Sequence, residues 1–173
     1  MVSNNYTLTK TKILSGLQCH KKLWFDLHDP KKKEHNWILE KGFRFENIVR
    51  ENYSKNYGKV LDLSGDWEDV VSKTMLGIKS NDIEVIFEGA FIYLDTLVRA
   101  DVLIKNKKGW ELLEIKSSTK LKDAHISDIA IQSFIVKKCG VNLTSVKLIH
   151  INEDFTYTGD GNYKDLINFE NEI

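Results

Sequence analysis

One proline, Pro30, and two cysteines, Cys19 and Cys139, stand in 173 residues. Two thiols so far apart in sequence exclude a disulfide framework and a four-thiolate metal site within one chain, and a reducing, cytoplasmic setting is the expectation. The opening Met1-Val2-Ser3-Asn4-Asn5 has no apolar h-region. No stretch approaches the roughly 20 apolar residues that a membrane-spanning helix needs, so neither export nor a membrane partner is expected. Net charge is lacking too, because 25 Lys and Arg balance 25 Asp and Glu. A neutral chain argues at first against a nucleic-acid partner, since phosphate binding relies on Lys and Arg displacing counterions.

What is present has the balance of a globular protein, with 42% apolar and 29% charged residues. The length fits one domain over residues 1–173, able to bury a sizeable core without staples. The charges are also unevenly placed. Residues 1–50 carry 10 Lys and Arg against 5 Asp and Glu, and residues 153–173 carry 1 against 6. The N-terminal third therefore offers a phosphate-facing surface through residues such as Lys22, although a merely solvated face reads the same way.

Helical spacing of Ile13, Leu14, Leu17, Leu23 and Trp24 predicts one or two short helices over Leu8 to Leu27, with Thr9 as a cap. A longer helix is expected from about Asn36 to Tyr57, with Ile38, Phe45, Ile48 and Val49 as its buried stripe and Gly58 as its stop. A third, opened by Asp66, carries Trp67, Val70, Val71, Met75 and Ile78. The period then changes. Three strands joined by tight turns are expected at Ile83 to Tyr93, Thr96 to Lys105 and Trp110 to Lys116, with breaks at Asp95 and at Asn106 to Gly109. A helix over Asp123 to Cys139 and a strand over Ser145 to Ile151 follow, then an acidic tail with a short helix near Tyr163 to Phe169. The plan is α/β with a central sheet: N-terminal helices over 8–80, a core over 81–152 and a tail over 153–173.

Within that core, Glu114-Ile115-Lys116 closes a strand whose two-residue period puts Glu114 and Lys116 on one face. Asp101 lies on the preceding strand, and the turn at Asn106 to Gly109 can bring it beside Glu114. Two hard carboxylates suit Mg²⁺ or Mn²⁺. Such an ion polarises a scissile phosphate and activates water, while Lys116 can orient that water and offset developing charge. The short motif E-x-K alone is weak, and an exposed Glu and Lys at a strand end is the plain alternative. Its context adds weight: Asp101 interrupts an otherwise apolar run of Leu97, Val98, Ala100, Val102, Leu103 and Ile104. On the following helix His125, Asp128 and Gln132 form a polar line, with Gln132 able to donate to phosphate; a half-exposed helix face fits His125 and Asp128 equally well. On the long N-terminal helix Glu46 is either a further metal ligand or only the i, i+4 partner of Arg50.

These residues resemble the RecB-like branch of the PD-(D/E)XK nucleases over nearly the whole chain. The resemblance rests on Leu14-Ser15-Gly16-Leu17-Gln18-Cys19 with Lys22-Leu23-Trp24, on Gly42 with Glu46 and Arg50, and on Phe87-Glu88-Gly89-Ala90-Phe91. It continues through Val98-Arg99-Ala100-Asp101 and Glu114-Ile115-Lys116-Ser117-Ser118-Thr119 to His125, Asp128, Ala130 and Gln132. It implies a four-stranded mixed core sheet flanked by helices, in the restriction-endonuclease-like manner. It also implies a divalent metal on Asp101, Glu114 and the Ile115 carbonyl, with Lys116 as catalytic lysine. Glu46 takes the position where many relatives have a metal-binding His. Gln132 matches a DNA-holding glutamine, with Arg99, Arg50 and Lys22 as further nucleic-acid contacts and Glu88, His125 and Asp128 as accessory residues. Val136 replaces an expected aromatic. Iron-sulfur relatives, among them the CRISPR adaptation nucleases, place one cysteine near Cys19 and three after the core; those three are missing here, so no cluster is expected and Cys19 reads as a buried small residue.

The function expected from this resemblance is metal-dependent cleavage of DNA, at ends or single strands, in repair, recombination or phage DNA processing. RNA as substrate, a catalytically weak nucleic-acid-binding module and a structural domain are the alternatives. The resemblance also leaves open a minimal single-domain protein or part of a longer one.

Overall fold

The structure, a computed structural model, describes residues 8–30 and 37–171, without the side chains of Ile38, Lys164 and Asn171. The opening residues 1–5, the lysine run at 31–33, the expected helix start at Asn36 and the Ile38 side chain lie outside what is described.

A β-branched run with few breakers makes the long central strands β3 (Val85–Tyr93), β4 (Thr96–Lys105) and β5 (Trp110–Lys116). The β3–β4 turn has Leu94 and Asp95 both at positive φ, the conformation of a tight two-residue hairpin. The β4–β5 turn is held by Asn106, whose Oδ1 accepts from the backbone N–H of Lys108 at 2.8 Å and of Gly109 at 2.9 Å. Helix α5 (Asp123–Lys138) then crosses over to β6 (Leu143–Ile151), which pairs parallel to β5.

The sheet has seven strands, not the four the resemblance implied. Its order is β2-β3-β4-β5-β6-β7, with β1 attached to β4. The additions are short: β1 (Leu8–Thr9), β2 (Val60–Asp62) and β7 (Ile167–Asn171). The tail is not helical at Tyr163 to Phe169. A single 3-10 turn at Lys164–Leu166 feeds β7, which pairs antiparallel to β6 and covers its free edge. At the other end the expected first helices become β1, α1 (Lys10–Gln18) and α2 (His20–His28), broken at Cys19, whose extended backbone leaves the thiol exposed rather than buried.

Helices cover both sheet faces, so the central strands are buried on both sides. Helix α4 (Trp67–Lys79) and α5 pack over one face, where Val70, Ile129, Ile135 and Val136 meet Ile86, Leu103, Leu112 and Leu148. Helix α3 (Trp37–Asn56) covers the other, with Phe45 and Val49 against Val85, Phe87, Val102, Leu113 and Ile149. Each such fully buried side chain contributes about 1.5–3 kcal/mol. Helix α4 lies so close to the sheet that a Cβ at Gly77 would stand 2.7 Å from Leu61 and 3.0 Å from Ile86. From α4 the buried Thr74 hydroxyl accepts from the Ala90 N–H at 2.9 Å, satisfying β3 where β2 no longer pairs with it. Among the described residues no helix is long and apolar enough to cross a membrane.

Candidate functional site

The site opens where β4 and β5 part. Their ladder runs from Lys105↔Trp110 to Val102↔Leu113 and goes no further. Asp101 and Glu114, the next residues on each strand, therefore face one another across the opening. There the Asp101 carboxylate replaces the lost ladder bond, its Oδ2 accepting from the Ile115 N–H at 2.8 Å. Asp101 and Glu114, expected to lie together, do so, and Lys116 joins them as the two-residue period requires: its Nζ donates to Glu114 Oε1 at 2.6 Å.

Helix α5 supplies the floor. Asp128 and Gln132, one turn apart, are 5% and 0% exposed, and Glu114 is 2% exposed. Gln132 Nε2 donates to Glu114 Oε2 and to Asp128 Oδ1, the latter at 3.1 Å, while Lys116 Nζ also donates to Asp128 Oδ2. The glutamine's N–H donors thus point into the carboxylate cluster. Its Oε1 is buried without a hydrogen-bond partner among the described residues.

The sequence reading missed Lys10. Its Nζ donates to Glu114 Oε1 at 3.0 Å and lies 2.8 Å from Asp128 Oδ1. The site therefore holds three carboxylates, Asp101, Glu114 and Asp128, and two ammonium groups. Burial works against ionising Asp128, yet Lys10 and Lys116 outweigh it and hold its pKa at about 2. For Lys10 and Lys116 burial likewise opposes the charge, and Glu114 and Asp128 overcome it and raise both pKa values. Asp101 goes the other way: desolvation, then the neighbouring Glu114 charge, push it well above the usual carboxylate range. His125, at the outer end of the polar line, is partly buried with Nδ1 unpartnered among the described residues. Burial and Lys116 lower its pKa.

A second cluster stands on the α3 side. Arg50 donates to Glu46 Oε1 at 2.9 Å, to both Asp62 oxygens at 2.9 and 3.1 Å and to Glu88 Oε1 at 2.9 Å, and stacks over the Phe87 ring. The i, i+4 pairing of Glu46 with Arg50 is thus formed. Glu88 joins because its φ of 56° takes a non-glycine residue into the left-handed region in mid-strand, a conformation that costs of order 1–3 kcal/mol and that surrounding structure must hold. Burial raises the Glu88 pKa, with Arg50 opposing. Arg99 donates to the Gly65 carbonyl at 2.9 Å and lies 3.9 Å from Glu88, and Lys22 pairs with Asp26 at 3.0 Å on α2. Neither joins the Glu114 cluster. Arg50→Met is expected to lower stability by about 2–3 kcal/mol, since it strands carboxylates that are partly buried. Urea denaturation is the measurement, and an unchanged midpoint would show that the three acids need no cation.

Among the described residues no group of three or more His, Cys, Asp or Glu side chains is arranged to hold a metal ion. Asp101 and Glu114 are a pair, and the donors that would complete a shell around them are backbone or solvent oxygens.

No protein-family model matches the chain. It is 24% identical over 139 residues to the uncharacterised protein UU173 of Ureaplasma parvum serovar 3, a match covering 75% of this chain. The chain spans only 19% of the length of that relative. The crystal structure of SSO0001 covers 94% of this chain and 77% of its own at 18% identity, with a TM-score of 0.31.

Proposed function

We propose that the chain is a divalent-metal-dependent nuclease of the PD-(D/E)XK type, hydrolysing phosphodiester bonds in DNA at ends or single strands. The observation that carries the reading is the opening between β4 and β5, where Asp101, Glu114 and Lys116 converge on the end of a mixed sheet crossed by α5. The donor set fits a hard cation. Asp101 and Glu114 offer carboxylate oxygens. The Ile115 carbonyl shares its strand side with the N–H that Asp101 accepts, so it faces the same opening. A bound Mg²⁺ or Mn²⁺ would supply Lewis acidity toward the phosphate and a more acidic water. The chain's own part is to hold that charge in a site walled by buried α5 side chains, with the Lys116 ammonium beside Glu114 to orient a water and offset charge on the phosphate.

Exposed rings on α2 and α3 support a single-stranded partner. Trp24, Phe25, Trp37 and Phe43 are all solvent-facing, with Lys21 over the Phe25 ring at 5.9 Å and Lys41 over Trp37 at 4.7 Å. Rings interleaved with lysines suit bases that stack and phosphates that pair. The two ammonium groups already seated on Glu114 favour a second reading, a nucleic-acid-binding module of weak catalytic power.

End-labelled single-stranded and duplex DNA and RNA, each with Mg²⁺, Mn²⁺ or chelator, decide between them. Shortened products that need metal and disappear with Asp101→Ala are expected. Retarded but uncut strands would favour the binding module, and neither cutting nor retardation would sink both readings.

A further inference from the structure

Glu114 Oε1 carries two ammonium groups at once, from Lys116 at 2.6 Å and Lys10 at 3.0 Å. They are anchored differently. Lys116 is two residues along the same strand and stays within reach of Glu114 whatever the N-terminal segment does. Lys10 comes from 104 residues away, placed by the short parallel pairing of Leu8 with Thr96 and Thr9 with Leu97 and by the start of α1. That segment is lightly held: Ser15 is the single buried residue of α1, and α2 has none among its described residues. Few buried contacts mean a low free energy for local displacement.

We propose that Lys10 is a built-in competitor for the divalent ion, seated on the Glu114 carboxylate that would hold the ion and expelled when the ion binds. The inference rests on the metal-dependent reading above and concerns how that site is regulated. Lys10 pairs with Glu114 and Asp128 and feels the Asp101 charge, and Lys116 is the other cation on the same two carboxylates. A divalent ion on Asp101 and Glu114 would stand a few ångströms from the Lys10 ammonium, where like charges in a partly buried site repel strongly. The N-terminal segment therefore sets metal affinity, and whatever draws α1 away from β4 loads the site.

Two measurements on the full chain test this. In titration calorimetry with Mn²⁺ alone, Lys10→Met is expected to bind at least about tenfold more tightly than the parent protein, because it removes the competing charge and keeps the length of the side chain. Lys10→Arg, which keeps the charge, is expected to show no such gain. In the unmodified protein, amine acylation followed by mass spectrometry is expected to label Lys10 several-fold faster with saturating Mn²⁺ than without, a readout that requires no variant to fold. Equal Mn²⁺ affinity in parent and Lys10→Met, with binding lost in Asp101→Ala, would overturn the competitor while leaving the metal site standing. Unchanged Lys10 labelling on Mn²⁺ binding would do the same. Absence of Mn²⁺ binding from both proteins would overturn the metal-dependent reading as well.

Discussion

Glu114→Gln is expected to remove metal-dependent cleavage, lowering kcat/KM by about 10³-fold or more, and to cost about 3 kcal/mol of folding stability. The first effect follows from replacing a hard anionic ligand by a neutral amide. The second follows from what Glu114 neutralises. At 2% exposure it takes the Lys10 and Lys116 ammonium groups on one oxygen and the Gln132 amide on the other. A glutamine cannot accept from all three, and one end of its amide would present a donor to donors. Two partly buried cations would then share Asp128. Removing one of them as well, in Glu114→Gln with Lys116→Met, is expected to restore most of the stability and none of the cleavage. Urea denaturation and initial cleavage rates separate the two effects. Cleavage within tenfold of the parent, or a double variant no more stable than the single, would count against the account of the site.

This division explains what could be read from the sequence. Strands β4 and β5 and the turn between them emerge with the expected boundaries, because short, nearly continuous apolar runs and a turn-forming Asn106 are local signals. Once β4 and β5 pair, the two-residue period fixes Glu114 and Lys116 on one face and Asp101 opposite. The long crossover helix was legible for the same reason, and its i, i+4 spacing brought Asp128 and Gln132 along. The rest depends on partners. Strands β1 and β2 have two and three residues, too short for any propensity to declare them, and they are strands because β4 and β3 offer free backbone groups. Lys10 carried no local signal, because its carboxylate partners are distant in sequence. Glu46 with Arg50 was visible at i, i+4; Asp62 was not, and Glu88, expected as an accessory residue, was not tied to Arg50. Glu88 reaches Arg50 through a positive φ that nothing in its identity announces.

Asp101→Asn is expected to reverse the order of stability of two proteins when metal is added. Without metal, desolvation and the neighbouring Glu114 raise the Asp101 pKa in the folded state. The sign follows from linkage: a carboxylate with a raised folded pKa contributes stability that is whole below its unfolded pKa of about 3.9 and lost as pH rises through the folded value. Asparagine mimics the protonated form at every pH and keeps an oxygen for the Ile115 N–H. The variant is therefore expected to match the parent near pH 4 and exceed its unfolding temperature at pH 8. Asp128, held at about 2, contributes stability that is lost only as pH falls from the ordinary carboxylate range through that value. It does so in both proteins, so the comparison isolates Asp101. With Mn²⁺ at 100 times its dissociation constant the parent gains about 2.7 kcal/mol, or about 5–10 °C in Tm for a chain of this size. The variant, lacking the ligand, gains nothing. A parent that is the more stable of the two in both conditions would mean that the Asp101 charge is welcome in the metal-free fold. A parent that does not respond to Mn²⁺ would mean that Asp101 and Glu114 face each other for some purpose other than holding an ion.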